Sequence, residues 1–171
     1  TAAGNDLLFD ESLFQQGKNF SNKIWNAYRL IQRWEVSDHS LSPAADVALE
    51  WYENSFNRSL EQVEDHFSKY RVSDALMTLY KLVWDDFCSW LLEAIKTPDN
   101  SIDILTKTRV IALFENNLRV LHPFMPFLTE ELWHFCGTRT PNEALVISQW
   151  PTPAPFDKKL LDDFDQIQQL I

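Results

Sequence analysis

The sequence predicts an all-α chain: an up-and-down antiparallel helical bundle with a Pro-rich irregular segment before a truncated C-terminal helix. Three observations carry that expectation. Apolar residues recur at helical spacing nearly throughout. Glycine occurs only three times, and no segment alternates as a half-buried strand would. The periodic stretches, roughly 20 to 28 residues long, are separated by short polar turns, which sets successive helices antiparallel.

Residues 1–10 read as an extended link. The first helix is expected from about Glu11 to Trp34, followed by a polar connection from Glu35 to Ser42. Ser42 then Pro43 is a cap followed by a favoured first-turn residue, and the second helix runs to about Tyr70 with Val47, Trp51, Phe56, Leu60, Val63 and Phe67 near helical spacing. Ser73 is the expected cap of a third helix reaching Ile95, its inner side taking Leu76, Leu79, Tyr80, Val83, Trp84, Phe87, Trp90 and Leu91. Lys96 to Ser101 reads as a turn. A fourth helix spans about Ile102 to Leu121 and stops near Pro123. A short fifth, Thr129 to Phe135 with Thr129 as its cap, ends at Gly137. Residues 11–137 thus form the bundle, 138–156 an irregular Pro-rich connector, and 157–171 the start of a helix that the chain end cuts off, as in a fragment of something longer.

Composition narrows the possibilities. The 171 residues suffice for one domain, and 45% hydrophobic content with twelve Phe, seven Trp and four Tyr makes a bulky core. No run of about 18 apolar residues occurs, so no membrane partner is expected, and the first residues lack the pattern of a secretory signal. Cys88 and Cys136 are far apart, with neither a disulfide frame nor a zinc spacing, which favours a reduced, cytoplasmic setting. With 25 acidic and 15 basic residues the formal charge is −10, which argues against indiscriminate binding of nucleic acid over the whole surface.

Catalytic signatures are missing. His39, His66, His122 and His134 form no metal-binding pair, and His122 and His134 lie among apolar residues, as packed or capping groups do. Asp85 and Asp86 are adjacent on a helix and so diverge by about 100°, which suits a solvated face better than a shared substrate atom. Glu130 and Glu131 fall in a first helical turn, where acids complement the dipole. Trp133 and Trp150 read as core or joint residues.

The first helix is different. Between Glu11 and Glu35 there is no Asp or Glu, while Lys18, Lys23, Arg29 and Arg33 all fall there. On a helical wheel Lys18, Asn22, Asn26, Arg29 and Arg33 share an arc roughly 80° wide, with Phe20, Ile24, Ala27, Tyr28, Ile31 and Trp34 across from them. Such a face suits a polyanion, most commonly a nucleic acid. An ordinary solvated helix that lacks acids by chance has the same pattern, and charge alone leaves both readings open.

Longer strings resemble one family. Asn19-Phe20-Ser21-Asn22-Lys23-Ile24-Trp25-Asn26-Ala27-Tyr28-Arg29 is similar to the NFxNKxWNAxR string of valyl-tRNA synthetases. Tyr80 to Trp90 resembles their YxxxWxxFCxW helix, Leu121 to Trp133 their LHPFMPFxTEELW string, and Ser148-Gln149-Trp150-Pro151 their SxWP. Gly4-Asn5-Asp6 with Phe9-Asp10 resembles the segment joining their catalytic body to the anticodon-binding domain. The proline-rich string alone fits enzymes charging valine, isoleucine or leucine; NKxWNAxR narrows the resemblance to valine.

The resemblance implies a helical anticodon-binding domain of a class I synthetase whose parent attaches valine to its tRNA with ATP and Mg. The catalytic and editing signatures are not in these residues, so the implied share is recognition: no catalytic residue, metal or cofactor here. The implied partners are the anticodon stem-loop of valine tRNA and the catalytic body of the same enzyme. Lys18, Asn22, Lys23, Asn26, Arg29 and Arg33 are the expected RNA contacts, Lys23 pointing away from the main arc. Trp51 is the expected stacking platform, although Glu50 and Glu53 stand where the family's arginines flank the aromatic. The alternatives are the same domain of an isoleucyl- or leucyl-tRNA synthetase, or a helical protein-docking module.

Overall fold

The computed structural model describes residues 11–37, 42–140 and 142–169; the expected link at 1–10 and His39 lie outside them. Helix α1 is Glu11–Arg33, α2 Pro43–Ser68 and α3 Val72–Lys81. The rod begun by α3 continues as a π-helix, Leu82–Leu91, and ends in α4, Leu92–Ala94. Then come α5 (Ile104–Leu121), α6 (Pro126–Cys136), a single 3₁₀ turn (Leu145–Ile147) and α7 (Lys158–Gln169). The all-α expectation holds. Two two-residue strands, β1 (Glu35–Val36) and β2 (Ser101–Ile102), pair in parallel and tie the exit of α1 to the entry of α5. They are too short to show an alternating pattern in the sequence.

One hydrophobic core joins the elements. Ile24 and Ile31 of α1, Trp51, Tyr52 and Leu60 of α2, Leu79 of α3, Phe87 and Leu91 of the π-helix, Phe114 and Leu118 of α5 and Leu132 of α6 are all buried in it. Each such fully buried large side chain contributes about 1.5–3 kcal/mol by leaving water. Val47 is the exception to the expected inner face of α2 and points outward.

The helix starts and stops have local causes. Ser42 caps α2, accepting from the Ala45 N–H at 3.2 Å, with Pro43 in the first turn. α2 is closed off just past Ser68 by Tyr70, which adopts a left-handed φ of 56° while the Arg71 N–H returns to the His66 carbonyl at 2.8 Å. That closure lets α3 start at Val72, so Ser73 lies inside the helix rather than capping it. Asp103, accepting from the Thr106 N–H at 2.9 Å, caps α5 and leaves Ile102 to β2. α6 starts at Pro126, earlier than expected; Thr129 is buried within it, its hydroxyl donating to the Met125 carbonyl and meeting His122 Nδ1 at 2.8 Å. Thr129 is therefore no cap, and His122 is a packed residue.

The π-helix overturns another expectation. Asp86, three residues on from Val83 and four from Leu82, shares their inward face beside Phe87, so it is buried and of the pair only Asp85 is solvated. The described residues of 138–156, irregular apart from the 3₁₀ turn, are fastened to α6. The Trp133 indole donates to the Glu143 carbonyl at 2.8 Å, and the Leu145 N–H donates to Glu130 at 2.9 Å. Arg139 lies 3.6 Å from the Trp133 ring centroid and pairs with Glu115 of α5.

Candidate nucleic-acid interface

α1 is strongly amphipathic. Phe20, Ile24, Ala27 and Ile31 anchor one side in the core, which fixes what the opposite side offers. Lys18, Asn22, Asn26, Arg29 and Arg33 are all exposed along that side, and none of them has a hydrogen bond or ion pair to a described residue. The described carboxylates that form ion pairs do so elsewhere: Asp46 and Glu53 with Arg109, Glu115 with Arg139, Asp65 with Lys69, Asp165 with Arg58, Glu93 with Lys96 and Glu130 with His134. The exit of α1 is capped from within, by Lys107 of α5 donating to the Trp34 carbonyl. The strip is therefore a row of donors and amides, positioned by a rigid helix and uncommitted.

Two residues expected at this interface are placed differently. Lys23 lies about 140° round the helix from Lys18, half-buried with its ammonium 5.3 Å from the centroid of the Trp84 ring. The structure does not bring it to the strip. Trp51 is 1% exposed, its ring stacked on Phe164 of α7 at 4.1 Å and 15°. No base can reach it, so Trp51 is a core residue and not a stacking platform. The sequence concealed this because the covering ring comes from the last helix.

Sequence reasoning also missed aromatics beside the strip. Trp25 and Tyr28 of α1 sit roughly 20° and 80° from Lys18, on the side away from Asn26, and both are half-buried. Phe135 of α6 contacts both, with centroid separations of 6.0 Å in each case. The spacing of Trp25 and Tyr28 beside the arc was visible in the sequence; nothing local pointed to Phe135.

The remaining reactive groups are quiet. Burial pushes the Cys88 and Cys136 thiols up to about 12, which keeps them protonated and poorly nucleophilic. Among the described residues no His, Cys, Asp or Glu cluster could hold a metal ion, and no helix is long and apolar enough to cross a membrane. An apolar groove of about 820 Å³ opens at the amino end of α1, between Leu13, Phe14 and Phe20, Met77 and Tyr80 of α3, and Phe124.

A helical bundle holding an uncommitted row of amides and cations against an acidic remainder is of the RNA-recognition class. Residues 50–171 match the model of the anticodon-binding domain of tRNA ligases, and the chain belongs to that family. The relatives it resembles are valine–tRNA ligases. It is 49% identical over 171 residues to that of Christiangramia forsetii, covering 99% of this chain and 20% of the relative. Against Phocaeicola vulgatus it is 45% identical over 170 residues, covering 99% and 19%. Against Thermotoga maritima it is 34% identical over 168 residues, covering 95% and 18%. The chain thus spans about a fifth of the length of these relatives. The matched family region begins at Glu50, so α1 and its strip precede it, whereas the likeness to the valine enzymes includes α1.

Proposed function

We propose that the chain reads the anticodon loop of valine tRNA for a longer valine–tRNA ligase, acting in the cytoplasm. The observation that carries this reading is the strip Lys18, Asn22, Asn26, Arg29 and Arg33, exposed and uncommitted on α1. Single-stranded loop bases are read by splaying them out, stacking them and bonding their edges. Asn22 and Asn26 supply amides for base edges, and Lys18, Arg29 and Arg33 supply charge for phosphates. The rest of the surface, with a formal charge of −10 for the whole chain, disfavours other poses. In this reading ATP and Mg are taken up by the catalytic body of the longer enzyme. We assign the apolar groove at the amino end of α1 to docking on that body, a feature that also fits the protein-docking alternative.

The test is binding of a valine-tRNA anticodon stem-loop. Losing one charge-assisted contact in Arg29→Ala should weaken affinity roughly tenfold, with the far-UV helical signal unchanged. Affinity should also fall with salt at a slope near 0.7 per phosphate contacted. Unchanged affinity in Arg29→Ala would show the wrong face was chosen. Equal binding of isoleucine and valine tRNAs would remove the valine assignment.

A further inference from the structure

With Trp51 sealed in the core, the expected platform is lost, and stacking a splayed base calls for another ring. The aromatic packing supplies one. Four rings from four elements form a series from the core outward, each inclined by less than 30° to the next. Phe87 of the π-helix and Phe114 of α5, both buried, are 5.8 Å apart and inclined by 29°. Phe114 and Tyr28 are 6.4 Å apart at 26°, and Tyr28 and Phe135 6.0 Å apart at 24°. The column ends at Phe135, which is 47% exposed. The Tyr28 hydroxyl donates to the Phe135 carbonyl at 3.3 Å, and the Trp25 ring abuts Phe135 edge-on at 79°. The last ring is therefore held from the backbone, from behind and from one side. On α1, Trp25 lies about 40° from Arg29 and about 60° from Asn22, so Trp25, which touches Phe135, links that ring to the strip.

We propose that Phe135, backed by Tyr28 and flanked by Trp25, is the platform on which an unpaired base of the bound RNA loop stacks. The base continues the ring column by one member, while the strip takes its edge and the neighbouring phosphates. Phe135 is held against Tyr28 and Trp25 yet remains 47% exposed, and fixing a ring beforehand removes an ordering cost from binding. The proposal rests on the anticodon-binding reading and adds the residue that does the stacking.

The experiment measures binding of the valine-tRNA anticodon stem-loop to Phe135→Ala, Phe135→Leu and Phe135→Tyr. The chain's thermal unfolding serves as the folding control. Loss of a base–aromatic stack weakens binding by roughly 5- to 150-fold, so Ala and Leu should both lose that factor and Tyr should bind like the parent. Stem-loops made abasic at single loop positions sharpen the result: one position should cost the parent that factor and cost Phe135→Ala nothing. Parent-like binding by Phe135→Leu would make the contact merely apolar and overturn the proposal, as would the absence of any coupled loop position. If Arg29→Ala weakens binding and Phe135→Ala does not, the stacking inference fails and the anticodon reading stands. If neither weakens it, both fail.

Discussion

Helices α1 and α2 are both long and both carry asparagines and arginines outward, yet they put them to opposite uses. On α2 these groups are consumed. Asn54 donates to the Glu50 carbonyl and accepts from the Asp157 N–H at 2.6 Å; Asn57 donates to the Glu53 carbonyl and accepts from the Ala154 N–H at 2.9 Å. Arg58 reaches Asp165 of α7 at 3.7 Å, and Asp46 and Glu53 hold Arg109 of α5. On α1, the side chains of Asn22, Asn26, Arg29 and Arg33 have no partner among the described residues, and Asn19 accepts only from Gln15 of the same helix. Polar side chains of the same kind thus serve as clamps where the domain supplies their partners, and as an interface where it withholds them. Charge already separates the two helices, since α1 has no acid after Glu11 while α2 carries Asp46, Glu50, Glu53, Glu61, Glu64 and Asp65 against Arg58; what each polar group touches separates them further.

The strongest way to break this contrast is at Trp51. If it is core, Trp51→Ala opens a cavity and costs about 3–5 kcal/mol of stability, read as a large drop in thermal unfolding temperature. If it is instead an RNA platform, the variant should unfold like the parent and lose only RNA affinity.

A somewhat smaller effect is expected at Asp86, which faces α2 and α7 from the π-helix. Burial raises its carboxyl to about 6; Lys81 and Arg58 oppose the rise, and Asp85 and Asp165 add to it. The unfolded value is about 3.9. Between those values the native state keeps a proton that the unfolded chain has released, so stability from this group falls as pH rises from about 4 to about 6 and stays low above. The penalty at pH 7 is on the order of 3 kcal/mol. Asp86→Asn should therefore stabilise the chain at pH 7 and change little near pH 4, by denaturant melts at both. An equal effect at the two pH values would mean that Arg58 or Lys81 neutralises Asp86 outright.

What the sequence revealed was local. The amphipathic rhythm of α1, the Ser42–Pro43 entry to α2 and the stop at Gly137 are each written within a few residues, and so was the strip, because one helix carries all of it. What it concealed needed partners distant in sequence. Trp51 became core only when Phe164 was laid over it. Asp86 lies at helical spacing from Leu79, Leu82 and Val83, so its inward place was legible; the expectation that a carboxylate is solvated hid it. The ring column draws on four separate elements, so Phe135 was indistinguishable from any other aromatic near a helix end.

The smallest effects separate the two helices most directly. Asn54→Ala removes a hydrogen bond to the chain entering α7, costing about 1 kcal/mol of stability, and should leave RNA affinity alone because the side chain faces residue 157. Asn22→Ala removes nothing the folded domain uses, so its melting curve should match the parent's. Its RNA affinity should fall by a similar free energy, roughly fivefold. The two variants make a crossed pair measured by the same melts and the same binding titration. If Asn22→Ala lowers stability instead, the strip is architecture like α2, and the distinction between clamp and interface collapses.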